Sequence, residues 1–168
     1  YACSQAVVMA FKDVVKVDSN ILMQISLPLG GGVSRLRRTC GAILGMSLVI
    51  GLLFGEVEVN HENKLKVYEI NRNLISKFEE LQGSSICKEL LEKSGVNVEI
   101  KGEAEKRTSE YYRKRPCGKI VYDAALVLEE YLKELYNAGV DAVIVSDPSV
   151  ISLIKEVVPN LEIHISTQ

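Results

Sequence analysis

The run from Cys40 to Gly55, CGAILGMSLVIGLLFG, contains no charged side chain and carries glycines at positions 41, 45, 51 and 55. A segment apolar on every side has to be enclosed, either by lipid or by the rest of the fold. Spanning a bilayer takes about 20 apolar residues, more than this glycine-rich run provides. It therefore reads as a buried helix. Gly41, Gly45, Gly51 and Gly55 would let a neighbouring helix approach closely, at some cost in intrinsic helix stability.

Helical patterns surround this run. They cover Cys3 to Lys16, Ser19 to Leu27, Glu62 to Gln82, Ser85 to Lys93 and Cys117 to Asn137. In the last of these, Ile120, Ala124, Val127, Leu128, Tyr131 and Leu135 recur at helical spacing and form one apolar face. A helical bundle follows. Loops are marked by PLGGGVSRLRRT and by the polar stretch from Ser94 to Arg115, in which NVEIKGE is a candidate short strand. After Gly139 the texture changes. VDAVIVSD is a β-branched run, PSVISLIKEVV a helix opened by proline, and LEIHIS a second strand. Together they predict a βαβ unit, which cannot hide both faces of two strands alone and needs a larger sheet, the helical part or another chain. The fold class expected is mainly α, a helical bundle over residues 1–130 with a partial α/β, TIM-barrel-like βαβ appendage over 131–168.

With 168 residues, 25% charged and 47% hydrophobic, the chain can hold one domain of about 120 residues and a smaller appendage. A formal net charge of −2 gives no general attraction to nucleic acid or to anionic lipid, so neither is expected as a partner. The first residue is Tyr1 rather than Met, so the native start is expected upstream. The residues present show no signal peptide, and a cytoplasmic location is the expectation.

Cys3, Cys40, Cys87 and Cys117 lie far apart, and no CxxC pair is present. Spacing alone is weak evidence for a metal. Placement says more, because each of the four is expected in the first turn of a helix, where free N–H groups and a partial positive charge favour thiolate over thiol. If the helix starts converge, four thiolates could bind a zinc ion or an iron–sulfur cluster. The plain alternative is four small buried apolar residues. Structural disulfides are the third possibility, disfavoured in a reducing compartment. Dithiol–disulfide chemistry without metal needs Cys pairs with Cα atoms within about 7 Å.

The segments ACSQAVVMAF, PLGGGVSRLRRTCGAILGMSLVIGLLFG, SSICKELL and RPCGKIVYDAALVLEE resemble, in order and spacing, the C-GCAxxG-C-C family, described as redox-active. The resemblance covers roughly Tyr1 to Glu130. It implies that Cys3, Cys40, Cys87 and Cys117 match the family's cysteines and hold a metal or cluster, iron–sulfur first, with zinc or no cofactor as alternatives. The central motif departs from the family's shorthand in reading Cys40, Gly41, Ala42, with glycine after the cysteine rather than before it.

GGGVSRLRR places three glycines and three arginines before a helix start, a pattern that can cradle an anion. It lacks the GK[ST] of a P-loop, and for small-molecule phosphates a tight turn with a solvated basic face is the expectation. Arg35, Arg37 and Arg38 remain candidates for offsetting a thiolate-bound cluster or docking an acidic redox partner. His61 is expected as a surface or capping residue and His164 as a structural one. YYRKRP is expected as a solvated loop. Asp147 and Ser166 to Gln168 are the tail's functional candidates, at strand ends. No catalytic residue is assigned, and the βαβ edge makes a homo-oligomer plausible.

LEEYLKELYNAGVDAVIVSDPSVISLIKEVVPNLEIHISTQ resembles an internal segment of the collagenase-like peptidase family U32, whose core is similar to a TIM barrel. The resemblance spans about Leu128 to Gln168 and includes none of that family's defining catalytic or cluster-binding residues. Members are implicated in hydroxylating RNA or quinones. The two resemblances meet near Leu126 to Leu135, so a shortened fusion and a chimera joined within one helix are both expected readings. The helical part would then be an accessory module. A few strands cannot close a barrel, so peptidase or hydroxylase activity is not expected from this segment.

Overall fold

The uncharged run is a buried helix in the computed structural model, which describes residues 1–98, 108–137, 142–145 and 162–165. In chain order the elements are α1 (Cys3–Ala10), α2 (Lys12–Val15), α3 (Ser19–Ser26), a 3-10 turn (Leu27–Leu29), α4 (Gly41–Phe54), α5 (His61–Gln82), α6 (Cys87–Lys93), α7 (Ser109–Arg113), α8 (Cys117–Asn137), β1 (Ala142–Val145) and β2 (Glu162–Ile165). The protein is mainly helical, as expected. It divides into two units, Tyr1–Leu128 and Glu129–Gln168, with the division falling inside α8.

In the first unit α4 packs against α1 on one side and α5 on another. Ala42, Ile43, Met46, Val49 and Ile50 of α4 are buried with Val7 and Val8 of α1, Leu22 of α3 and Leu74 and Phe78 of α5. Glycine makes the α1 crossing possible. A Cβ added at Gly45 would lie 2.7 Å from the Ser4 carbonyl oxygen and 3.0 Å from Val7 Cβ, and one at Gly41 would lie 2.9 Å from the Leu29 carbonyl oxygen. The expected close approach does not extend along the whole helix. Gly51 has no neighbour within 4 Å, and a Cβ at Gly55 would meet only the backbone of Gly51, because the end of α4 emerges toward solvent.

Polar side chains close the remaining gaps. Ser4 Oγ donates to the Ser26 carbonyl at 2.7 Å and Gln5 Nε2 to that of Met23 at 3.0 Å, tying α1 to α3. Ser47 Oγ donates to Asn71 Oδ1 at 2.9 Å, tying α4 to α5. Gln82 of α5 donates to the buried carboxylate of Asp123 on α8, which Lys119 also engages at 2.8 Å. Asp18 and Asn60 cap α3 and α5 by accepting from backbone N–H groups of the first turn. His61 opens α5 and is exposed, as expected.

Three boundaries differ from the sequence expectation. The first helix breaks at Phe11, whose backbone (φ −111°, ψ 14°) leaves the helical region while its ring stays buried. A short helix, α7, forms where a loop was expected. A βαβ appendage is not supported. Among the described residues the second unit has two four-residue strands, paired in parallel with Ala142 opposite Glu162. The helix expected between them, Asp147 and Ser166 to Gln168 lie outside the described residues, as does most of NVEIKGE, and of the His164 side chain nothing is described. Among the described residues no helix is long and apolar enough to cross a membrane.

The two kinds of glycine in α4 predict opposite mutational signs. Gly45→Ala forces α1 and α4 apart and is expected to destabilise the protein by about 1–3 kcal/mol. Gly51→Ala meets nothing and removes backbone freedom from the unfolded chain, so it is expected to stabilise by about 0.5–1 kcal/mol. Urea denaturation of the two variants checks this, and a shift of the same sign in both would contradict the packing described.

Candidate metal centre

Each cysteine stands where a helix begins. Cys3, Cys87 and Cys117 are the first residues of α1, α6 and α8, and Cys40 is the N-cap of α4. The folding of the first unit brings these four starts to one place. The α1–α4 crossing carries Cys3 toward Cys40. An isolated antiparallel bridge pairs Thr39 with Ile86, and around it the Cys40 N–H donates to the Ser85 carbonyl and the Cys87 N–H to the Arg38 carbonyl, both at 2.8 Å. That bridge fixes Cys40 beside Cys87. Burial of Ile120, Ala124 and Val127 seats the first half of α8, and with it Cys117.

All four cysteines line a single cavity of about 250 Å³, together with Arg35, Arg37 and Tyr111. Cys40 and Cys87 are buried, and Cys3 and Cys117 are half-buried. Cys117 is hydrogen-bonded to Cys3, which is the first cause pushing its thiol upward; burial and the other three cysteines add to it. Cys40 is pushed up to about 12, chiefly by burial, against a smaller pull downward from the backbone N–H groups of Ala42 and Ile43. Cys87 is also raised by burial, offset in part by the hydrogen bond and charge of Arg37.

These directions correct one expectation. Helix starts were expected to favour thiolate, and here the loss of hydration outweighs the helix N-terminus. Burial at Cys40 and Cys87, and the hydrogen bond to Cys3 together with burial at Cys117, favour the protonated thiol unless positive charge is supplied. A metal ion or cluster would supply the missing positive charge and displace those protons. The donor set is compatible with such a group: four cysteines from four separate helix starts line one partly open pocket. Among the described residues no three His, Cys, Asp or Glu side chains gather closely enough to hold one metal ion. A zinc ion draws its thiolates to about 2.3 Å and brings the sulfurs nearly together.

The glycine–arginine loop covers the site in an unusual conformation. From Gly31 to Arg35 successive residues are left-handed, with φ of 67°, 69°, 59°, 46° and 66°, and Arg37 follows at 60°. Glycine suits this at Gly32, where a Cβ would also lie 2.6 Å from Cys87 Cβ. Val33, Ser34, Arg35 and Arg37 have no such excuse, and each costs about 1–2 kcal/mol in this region. The turn separates the three arginines. Arg38 is exposed, in keeping with a solvated basic face, and Arg35 is half-buried at the cavity wall. Arg37 is 6% exposed, with Nη1 3.9 Å from Cys87 Sγ. The expectation of a solvated face fails for Arg37, because the left-handed turn swings it inward.

Sequence reasoning missed Tyr111 and Arg115. YYRKRP is not simply a solvated loop: Tyr111 lies in α7 at the cavity wall, and the Arg115 guanidinium stacks 4.5 Å from its ring centroid. The pairing of aromatic and basic residues was the available signal.

Residues 1–131 match the model of the family described as "Putative redox-active protein (C_GCAxxG_C_C)". The chain belongs to this family. Cys3, Cys40, Cys87 and Cys117, which line the cavity, all fall within the matched residues. Residues 119–168 match a second model, Peptidase family U32, and the two matches overlap within α8. The chain is also similar to the tRNA hydroxylation protein P1 of Bacillus subtilis (strain 168), with 51% identity over 41 residues, 24% of this chain and 10% of that protein. It thus spans about a tenth of the curated relative it matches. No solved structure matches the chain.

Burial of Cys40 predicts a pH dependence. The folded state holds its proton up to about 12, whereas the unfolded chain releases it near the ordinary value of 9.0. Folded stability of the metal-free protein is therefore intact below pH 9 and falls as pH rises from 9 toward 12. Urea midpoints at pH 8 and pH 10.5 are expected to decrease, and to decrease less in Cys40→Ala. An equal loss in both proteins would contradict the assignment to Cys40.

Proposed function

We propose that the helical unit binds an iron–sulfur cluster through Cys3, Cys40, Cys87 and Cys117 and serves in electron transfer. The observation that carries this reading is the convergence of four helix-start cysteines on one cavity. Membership of a family described as redox-active supports it. When bound, such a cluster supplies a one-electron redox centre whose potential responds to charge and hydrogen bonds around its sulfurs. The chain's own groups do the rest. Burial excludes water from Cys40 and Cys87, Tyr111 and the left-handed turn wall the cavity, and Arg37 places positive charge beside Cys87. Arg38, exposed next to the bridge that joins Cys40 to Cys87, offers an approach for an acidic redox partner protein.

A second reading is favoured by the hydrogen-bonded contact of Cys117 with Cys3. The two thiols could join as a disulfide, giving up two protons and two electrons to a small disulfide oxidant that leaves as two thiols. The match of residues 119–168 to Peptidase family U32 supports attachment of the helical unit to a segment of that family and assigns no reaction to it.

Serine substitution separates the first two readings. Single replacement of Cys40 or Cys87 by Ser is expected to abolish the visible absorption of the anaerobically reconstituted chain. Unchanged spectra would remove those residues from the ligand set. A colourless wild-type chain that gains a Cys3–Cys117 disulfide on treatment with oxidised glutathione, read by mass spectrometry, would favour the thiol reading.

A further inference from the structure

Arg37 combines two features that do not balance among the described residues. Its guanidinium is a permanent charge, and a buried charge without a counter-ion is strongly disfavoured. Yet it is 6% exposed, its Nε has no hydrogen-bond partner, and none of the ion pairs among the described residues involves it. The one hydrogen bond of its side chain among those residues runs from Nη1 to Cys87 Sγ at 3.9 Å, and a neutral thiol is a weak acceptor. The backbone that delivers Arg37 to this spot is itself unfavourable, since Val33, Ser34, Arg35 and Arg37 are all left-handed without being glycine. Strain and an uncompensated charge meet at one point of the cavity wall, beside four cysteines.

What would satisfy both is negative charge on sulfur inside the cavity. Four thiolates bring four negative charges, only part of which a cluster's iron offsets, and the remainder needs a cation and hydrogen-bond donors. We propose that Arg37 is the internal countercharge of the loaded site: its guanidinium, through Nη1 at Cys87 and its otherwise unpartnered Nε, holds anionic sulfur in place and sets the potential of the bound cluster. The role is specific to Arg37. Arg38 is exposed and its charge is screened by solvent, and Arg35 is only half-buried. The inference rests on the iron–sulfur reading and adds to it a positioning residue outside the cysteine set.

The test uses the full chain, metal-free and anaerobically reconstituted with iron and sulfide, as wild type, Arg37→Lys and Arg37→Met. In the metal-free protein Arg37→Met removes an unneutralised buried charge, so its urea midpoint is expected to equal or exceed that of wild type. In the loaded protein the sign reverses. Arg37→Met is expected to lose iron to a chelator at least tenfold faster, and to reduce less readily by a factor of about ten, a shift of about 59 mV to more negative potential for one electron. Arg37→Lys keeps the charge and is expected to fall between the two. Loaded Arg37→Met with wild-type retention and potential overturns the proposal and leaves the iron–sulfur reading standing. A lower metal-free midpoint with an unmoved potential overturns it too, by making Arg37 a structural residue. Wild type that takes up no iron and sulfide overturns the reading and the proposal together.

Discussion

The close crossing of α1 over α4 is the contact from which the site is built. It depends on the absence of a side chain at Gly45, which lets the Ser4 backbone lie against the axis of a helix with no polar face. Because Cys3 opens α1 and Cys40 caps α4, the same crossing that buries the apolar run sets two of the four thiols at one end of it. The Thr39–Ile86 bridge then adds Cys87, and the buried face of α8 adds Cys117. The core and the site are therefore one construction. A change that loosened the crossing would disperse the cysteines as well as cost stability.

Electrostatics at the site is a contest between burial and the groups that favour charged sulfur. Helix starts and nearby guanidinium groups pull the thiols toward ionisation, and the cavity pushes harder in the other direction. In the reading proposed above, a metal-bearing occupant would supply the positive charge that ionised sulfur needs. Without one, protons take its place on sulfur. The left-handed turn belongs to the same logic, since it brings a permanently charged side chain against Cys87 at the expense of backbone comfort.

Much of this was legible in the sequence, for physical reasons that can be named. Helix α8 was readable to its bounds because Ile120, Ala124, Val127 and Leu128 repeat on one face, and the same residues are buried. The four cysteines were readable because each follows a helix-opening signal, and helices whose starts carry chemistry are conspicuous. Their convergence was not readable, because it depends on a helix crossing, a backbone bridge and the packing of α8, each joining segments far apart in the chain. Nor was the burial of Arg37, since three glycines announce a turn but not that Val33, Ser34 and Arg35 continue it with the same hand. The direction of the thiol shifts escaped for a related reason: a helix start is local and visible in sequence, whereas burial depends on everything packed around it. The tail reads in sequence as a βαβ unit, and the parallel pairing of its two described strands gives a register without establishing that unit.

The measurement that tests the central claim most directly is the iron, acid-labile sulfide and zinc content of the anaerobically purified full chain, with its free thiols counted before and after reconstitution. The account predicts iron and sulfide in near-equal amounts, and the four thiols protected in the loaded protein. Zinc alone, or a chain that stays metal-free with all four thiols open to titration, would contradict it.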